Sequence, residues 1–473
     1  MRGAALASVP EFIPSRGASQ SPGLAARLGL FDATMLVMGG IIGSGIFINP
    51  YVVARLVHTP ALILGAWIVG GLIGLVGAFI YAELADRMPK VGGQYAYLRH
   101  AYHPLLGFLY GWASLFVING GSSAAIAVTF AKYSTALTHT AIPENVTAIA
   151  AVAALTVVNC FGVRAGTTIQ SVFMLLRVLA VMLLVGCGIW FLGHSPSAPH
   201  LAWHPLLDRP ISFDLLSLFG ATMVPVLFAY GGWQTTNYVA SEIREPRRNL
   251  PRALLLGVLG VIAIYLSVNF IYLLTLAPGG LAATETPASE VMLRALGSRG
   301  ASIIAAAIAI STVGFLSQAM LTYPRVYFAM AEDGVLPRWF ARVDPQSRAP
   351  VGAIVLQGLI TIVLVLLGTY EQILSYVVVM DWLFFALTAS CLFVFRRREK
   401  RAALGDAPTG RIRYRVPGYP WTAAVFVAVA SLIVLNTIYK YPRNTGIAVC
   451  ILLAGIPGYF LFRGPARQSA GSG

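Results

Sequence analysis

Gly39-Gly40-Ile41-Ile42-Gly43-Ser44-Gly45-Ile46-Phe47 lies in the middle of an apolar run that extends from about Leu30 to Val57. Glycine in a helix interior costs about 1 kcal/mol relative to alanine. In lipid, a freed backbone group must find its partner inside the protein. Two readings of the stretch are open. The helix is broken at mid-membrane and turns N–H and C=O groups toward a cavity, or its small residues let neighbouring helices pack closely.

The composition around the stretch is that of a membrane protein. Of 473 residues, 57% are hydrophobic and 11% charged, against about 25% charged in a soluble domain. The net charge of +15 does not point to nucleic acid, because Lys and Arg gather in the loops. Cys160, Cys187, Cys391 and Cys450 sit in or beside apolar runs, with no disulfide or metal spacing. The seven histidines fall in predicted loops or tails, so no metal, haem or other cofactor is expected. Residues 1–29 are rich in Ser, Pro, Gly and Ala without an apolar core. They read as a disordered tail and not as a signal peptide.

Apolar runs long enough to span a bilayer give twelve predicted helices: about 30–56, 60–84, 104–136, 146–163, 168–192, 213–241, 250–277, 299–331, 350–368, 372–396, 419–438 and 443–463. With the N-terminus inside, the outer loops hold only Arg55, Lys132, Arg209, Arg294, Arg299, Lys440 and Arg443. Arg177 and Arg325 lie within spans, and the remainder of the 33 Lys and Arg fall inside. This bias places both termini in the cytoplasm of a multi-pass protein of the cell (inner) membrane. The outer loop 278–298 has a pattern fit for a short helix over the mouth.

A second interruption occurs in the sixth span, Val226-Leu227-Phe228-Ala229-Tyr230-Gly231-Gly232-Trp233-Gln234. Each break lies in the first span of a five-span block, and the two blocks enter the membrane from opposite sides. That is the mark of an inverted-repeat transporter with its site between two interrupted helices. Half-helix N-termini offer N–H groups and partial positive charge to a carboxylate. C-terminal ends offer carbonyls to an ammonium, so the pair suits an α-amino acid zwitterion. The second break favours the cavity reading of the opening stretch.

Four motifs then carry a resemblance: Gly40-Ile41-Ile42-Gly43-Ser44-Gly45-Ile46-Phe47; Pro89…Gly92-Gly93-Gln94-Tyr95…Tyr97-Leu98; Phe228-Ala229-Tyr230-Gly231-Gly232-Trp233 running on to Asn249-Leu250-Pro251-Arg252-Ala253; and Arg325…Glu332-Asp333-Gly334…Leu336-Pro337. With these the chain resembles amino acid permeases of the amino acid–polyamine–organocation superfamily, in particular the L-type amino acid transporter branch. The resemblance implies an all-α membrane protein of twelve transmembrane helices. Its fold would be the leucine-transporter type, a 5+5 inverted repeat with broken helices 1 and 6. The ten-helix core would run over 30–396, a basic cytoplasmic loop over 397–418, two extra helices over 419–463 and a tail over 464–473.

It further implies that Ser44 and Gly45 bind the substrate carboxylate. The carbonyls of Ile41 and of Phe228 or Gly231 would receive the amine, with Phe228 as gate. Gln234 and Trp382 match positions lining the side-chain pocket. L-type light chains bind a partner glycoprotein through a cysteine after the third span. The loop 136–146 has none, so a stand-alone monomer is expected, in contact only with lipid and a small amino acid.

Arg177 stands where many relatives carry lysine, a tethered replacement for sodium between spans 1, 5 and 8. Ser311 and Thr312, with carbonyls near Gly40, would complete that cation site. The bland alternative is that Arg177 snorkels to the inner surface. Arginine effectively never releases its proton, so filling the site would make transport independent of sodium. Exchange or facilitated passage is the expected mode. Asp381, beside Trp382, is an unusual charge for a span interior. It pairs with Arg325 or Arg177, or takes a proton or a cationic or hydroxylated side chain, or bonds locally to another helix. The second case opens an alternative function, a proton-coupled symporter or a polyamine or cationic amino acid antiporter. An enzyme would need convergent acid–base or metal groups, which the spans lack. Gly120-Gly121-Ser122-Ser123 serves close packing or widens the pocket. Tyr230, Tyr265 and Tyr272 read as packing residues. The run Arg396-Arg397-Arg398-Glu399-Lys400-Arg401 reads as an anchor that attracts anionic lipid, and Glu242 with Arg244, Arg247 and Arg248 as a gate cluster or a solvated face.

Overall fold

A computed structural model describes residues 29–88, 93–138, 141–161, 167–194, 203–234, 243–342, 344, 349–403 and 414–462. Its regular structure there is helical, without a strand. The helices are α1 Leu30–Ile41, α2 Gly45–Leu56, α3 Pro60–Arg87, α4 Gly93–Ala101, α5 Pro104–Ala113, α6 Asn119–Thr138, α7 Glu144–Cys160, α8 Thr167–His194, α9 Phe213–Ala229, α10 Pro246–Ala283, α11 Pro287–Thr322, α12 Pro324–Glu332, α13 Val351–Leu367, α14 Tyr370–Ala403, α15 Trp421–Lys440 and α16 Pro442–Phe462. Among the described residues, 8 helices are long and apolar enough to cross a membrane, and α1 with α2, bent by 42°, makes up to 9. The helices α7, α9 and α13 are apolar but shorter. The predicted tails lie outside the described residues, apart from Gly29.

Several predicted runs prove to be composite. The third contains a π-helical turn, Ser114–Ile118, between α5 and α6, a feature frequent at functional sites. The eighth divides at Pro324, where the ring removes a helix donor. The tenth outruns its predicted end at 396 and stays helical to Ala403. Gly120 and Gly121 serve packing. A Cβ on Gly120 would sit 2.9 Å from Ile360, and one on Gly121 would strike Val377 of α14.

The bundle closes around α1 and α2. α1 packs on α10, α2 on α9 and α10, and α8 on α10 and α11. The segment 278–298, expected as a short helix, consists of the end of α10 and the start of α11. The two helices are interrupted at Ala277 (φ 56) and Gly297 (φ 70), and Leu281, Ala288, Val291 and Met292 between them are buried. Arg55 Nε of α2 donates to the Ala282 carbonyl at 3.0 Å. Glu285 at the tip pairs with Lys132 of α6 and, at 3.6 Å, with Arg55.

Partial burial alone would push the Glu285 carboxyl up. The hydrogen bond and charge of Lys132, then of Arg55, outweigh it and hold the group below the usual carboxylate range. A depressed carboxyl adds stability above its unfolded value and loses it as pH falls through the folded one. These ties should therefore hold at neutral pH and loosen below about pH 4. Amide exchange across 278–298, corrected for its intrinsic pH dependence, should rise a few-fold in acid, and already at neutral pH in Glu285→Gln. Equal protection in both proteins would remove Glu285 from this role.

Candidate functional site

The two interruptions meet in the interior. α1 ends at Ile41 and α2 begins at Gly45. Among the described residues the N–H groups of Ser44, Gly45 and Ile46 have no backbone acceptor, as expected of a helix start. Ser44 is 2% exposed, and its hydroxyl has no partner among the described residues. In the second break, Gly231 N–H turns back to the Phe228 carbonyl at 3.2 Å. Gly232 adopts φ +104, and a Cβ there would run into the Gly40 carbonyl. A Cβ on Gly45 would lie 2.8 Å from Ala229 Cα. The glycines thus let the two unwound segments touch backbone to backbone, with Gly45 against α9 and Gly232 against α1.

Arg177 of α8 points into this junction and not toward the surface. It is 3% exposed. Nη1 donates to the carbonyls of Gly39 at 3.0 Å and Ile42 at 3.3 Å. Nε and Nη2 donate to Ser311 Oγ and Ser311 O at 3.0 and 3.4 Å, and the guanidinium lies 4.7 Å over the Phe315 ring. The charge is therefore held by the carbonyl end of α1, where the helix dipole is negative. Two residues of the expected set stand elsewhere. The Gly40 carbonyl faces Gly232, so its neighbours Gly39 and Ile42 hold the guanidinium. Thr312 Oγ1 donates back to Ile308 and Ala309 at 2.9 Å, the local bond a helical threonine readily makes.

Tyr265 joins the two breaks in a way its sequence position does not signal. From the middle of α10 its hydroxyl reaches the Ile41 carbonyl at 3.0 Å and the Ala229 carbonyl at 3.1 Å. One proton serves the C-terminal ends of both half-helices. The Ile41 carbonyl also accepts from Gly43 N–H at 2.7 Å, so a substrate ammonium would take the place of one of these donors. Tyr265→Phe should slow transport roughly tenfold, since the link between the two breaks would be lost, a net hydrogen bond is worth about 0.5–1.5 kcal/mol and 1.4 kcal/mol is a factor of ten. Initial rates in proteoliposomes decide this, and a phenylalanine variant as fast as the parent would reduce Tyr265 to packing.

Of the remaining expected residues, Phe228, Gly231 and Gln234 lie at the second break, and Asp381 and Trp382 lie on α14. Phe228 and Gly231 are half-buried at the end of α9. Gln234 Oε1 accepts from Gly232 N–H at 3.0 Å and so holds the second break. Trp382 is buried among aromatics, 5.5 Å from Phe385 and 5.8 Å from Phe426. Asp381 shares a face of α14 with Val377, Phe384 and Thr388. Val377 lies against Gly121, Phe384 is 5.3 Å from Tyr110, and Thr388 accepts from Gln94 at 3.4 Å. Asp381 therefore faces the π-helical turn between Tyr110 and Gly121. It makes no hydrogen bond or ion pair among the described residues, and Arg177 is engaged elsewhere. The Arg325 side chain and Glu242 lie outside the described residues.

A family profile described as amino acid permease matches residues 28–461. A serine/threonine exchanger of Bacillus subtilis is 30% identical over 449 residues, covering 93% of this chain and 98% of that protein. The large neutral amino acids transporter small subunit 2 of Homo sapiens is 30% identical over 447 residues, 93% of this chain and 80% of that one. The human Asc-type amino acid transporter 1 is 31% identical over 456 residues, 94% and 84%.

Proposed function

The chain belongs to the amino acid permease family and is a secondary amino acid transporter of the membrane, and from that premise we propose that it exchanges neutral α-amino acids without sodium. The carrying observation is Arg177. A cation fixed to the chain occupies the space between α1, α8 and α11, bonded to Gly39, Ile42 and Ser311. A charge that cannot leave the protein carries no ion gradient, so the substrate's own gradient must drive the cycle.

In this reading the N–H groups of Ser44 and Gly45, with the Ser44 hydroxyl, receive the carboxylate. The Ile41 carbonyl, with those of Phe228 and Gly231, receives the amine. Phe228 closes over the substrate, while Gln234 and Trp382 shape the pocket around its side chain. Asp381 supplies a hydrogen-bond acceptor for that side chain. The names of the relatives, a serine/threonine exchanger and a large neutral amino acids transporter, support neutral substrates.

The architecture proposed with this function has twelve spans. The candidate spans, the bent pair and the three shorter apolar helices supply them. A 5+5 inverted repeat over 30–396 is followed by the basic segment 397–418 and two added helices over 419–463. Both termini lie in the cytoplasm of a monomer with no disulfide-linked partner chain.

Counterflow in proteoliposomes tests the function. Labelled serine should accumulate against internal unlabelled neutral amino acids, at the same rate with and without a sodium gradient. Asp381→Asn should shift preference away from hydroxylated side chains by a few-fold and leave alanine unchanged. Uptake that needs sodium, or is driven by polyamines and not by neutral amino acids, would refute the proposal.

A further inference from the structure

The end of the bundle that carries the run Arg396–Arg401 sorts its charges. Glu83 of α3 is 0% exposed. It accepts from Arg396 Nε and Nη2 at 2.9 and 2.6 Å, from Arg87 Nε and Nη2 at 2.9 and 2.7 Å, and from Val416 N–H at 2.7 Å. Asp86, one turn on, accepts from Tyr414 N–H at 3.0 Å. Glu399 accepts from Arg87 at 3.0 Å and from Arg415 at 2.7 Å. These carboxylates are thus committed to a clasp that straps 414–416 across α3 and α14. Arg398 is spent as well, since it donates to the carbonyls of His100 and Ala101 at the C-terminus of α4 at 2.7 and 3.0 Å.

Arg397, Lys400 and Arg401 remain. All three are exposed and have no ion pair among the described residues. The length of α14 carries them past the hydrocarbon core. α14 is 34 residues long, ~50 Å at 1.5 Å per residue, well beyond a hydrocarbon core of about 30 Å. Arg396 stacks 3.8 Å over the Tyr419 ring. Nearby Trp421, 76% exposed, and Tyr102, 42% exposed, are the aromatics that mark the membrane interface.

We propose that Arg397, Lys400 and Arg401, with the charge of Arg398 behind them, form a docking site for the phosphate headgroup of an anionic phospholipid. The buried clasp keeps that site cationic by holding the nearby carboxylates away from it. Each basic residue at a membrane surface contributes about 1 kcal/mol toward anionic lipid, so removing three should lower affinity roughly a hundredfold.

The test uses the full chain in nanodiscs of equal phosphatidylglycerol and phosphatidylcholine, with retained lipid counted by native mass spectrometry. The parent should hold phosphatidylglycerol preferentially, and Arg397→Gln/Lys400→Gln/Arg401→Gln should lose that preference. The variant should keep the parent's melting midpoint in phosphatidylcholine alone, because none of the three residues enters the clasp. Equal phosphatidylglycerol retention by both proteins, or a parent without preference, overturns the proposal.

Discussion

Arg177→Ala should lower amino acid exchange at least about a hundredfold. The substitution orphans the Gly39 and Ile42 carbonyls and the Ser311 hydroxyl, all of which the guanidinium now satisfies. A buried acceptor left without a partner costs about 1–3 kcal/mol, and two such losses reach a hundredfold. The loss falls on the end of α1, which Arg177 ties to α8 and α11, so the first break should no longer hold its shape. Arg177→Lys separates charge from geometry. Lysine is a point charge with three donors and cannot reproduce the guanidinium fork. It also releases its proton when buried. The lysine variant should keep measurable exchange and gain a pH dependence the parent lacks, falling as pH rises and the amine neutralises. Initial rates against pH, with melting midpoints of all three proteins, decide the matter. An alanine variant that exchanges normally, or a parent accelerated by a sodium gradient, contradicts the role given to Arg177.

The sequence shows where the chain must break and much less about what holds the breaks. Glycines at 39, 40, 43 and 45, and again at 231 and 232, are unfavourable in a lipid-facing helix, so their positions alone predict an interruption. The α1–α2 bend falls there. Which donors satisfy the exposed carbonyls depends on helix facing, a tertiary quantity. Ser311 and Thr312 are adjacent hydroxyls about 100° apart on a helix. Only the facing of α11 decides that Ser311 meets Arg177 while Thr312 bonds its own backbone. Tyr265 is harder still. An apolar helix with tyrosines at 265 and 272 is an ordinary packing element, and the two carbonyls that Tyr265 joins lie 36 and 224 residues away. The clasp divides in the same manner. Glu83 and Arg87 are visible as an i,i+4 pair, whereas Arg396 and Val416 reach Glu83 across 313 and 333 residues.

Gly232→Ala should nearly abolish exchange, and for reasons different from those at Arg177. At φ +104 an L-residue is strained by about 1–2 kcal/mol. The added methyl would also enter the space of the Gly40 carbonyl. Backbone cannot rotate aside as a flexible side chain does, so the two breaks must move apart. That displaces α1 from Arg177 and the Ile41 carbonyl from Tyr265 together, although neither donor has been altered. Gly186→Ala on α8 is the matched control. A Cβ there meets nothing within 4 Å, so exchange should stay at the parental value and stability should hold or rise by up to about 1 kcal/mol, alanine being the better helix former. Substrate-induced thermal shifts extend the comparison. If Gly232→Ala folds and binds substrate but does not exchange, contact between the breaks is required for turnover and not for binding. If it exchanges within about threefold of the parent, less than 1 kcal/mol on the barrier, the breaks separate freely during the cycle. Backbone contact would then be a resting arrangement, and the coupling of the substrate site to Arg177 would have to run through the α1 carbonyls alone.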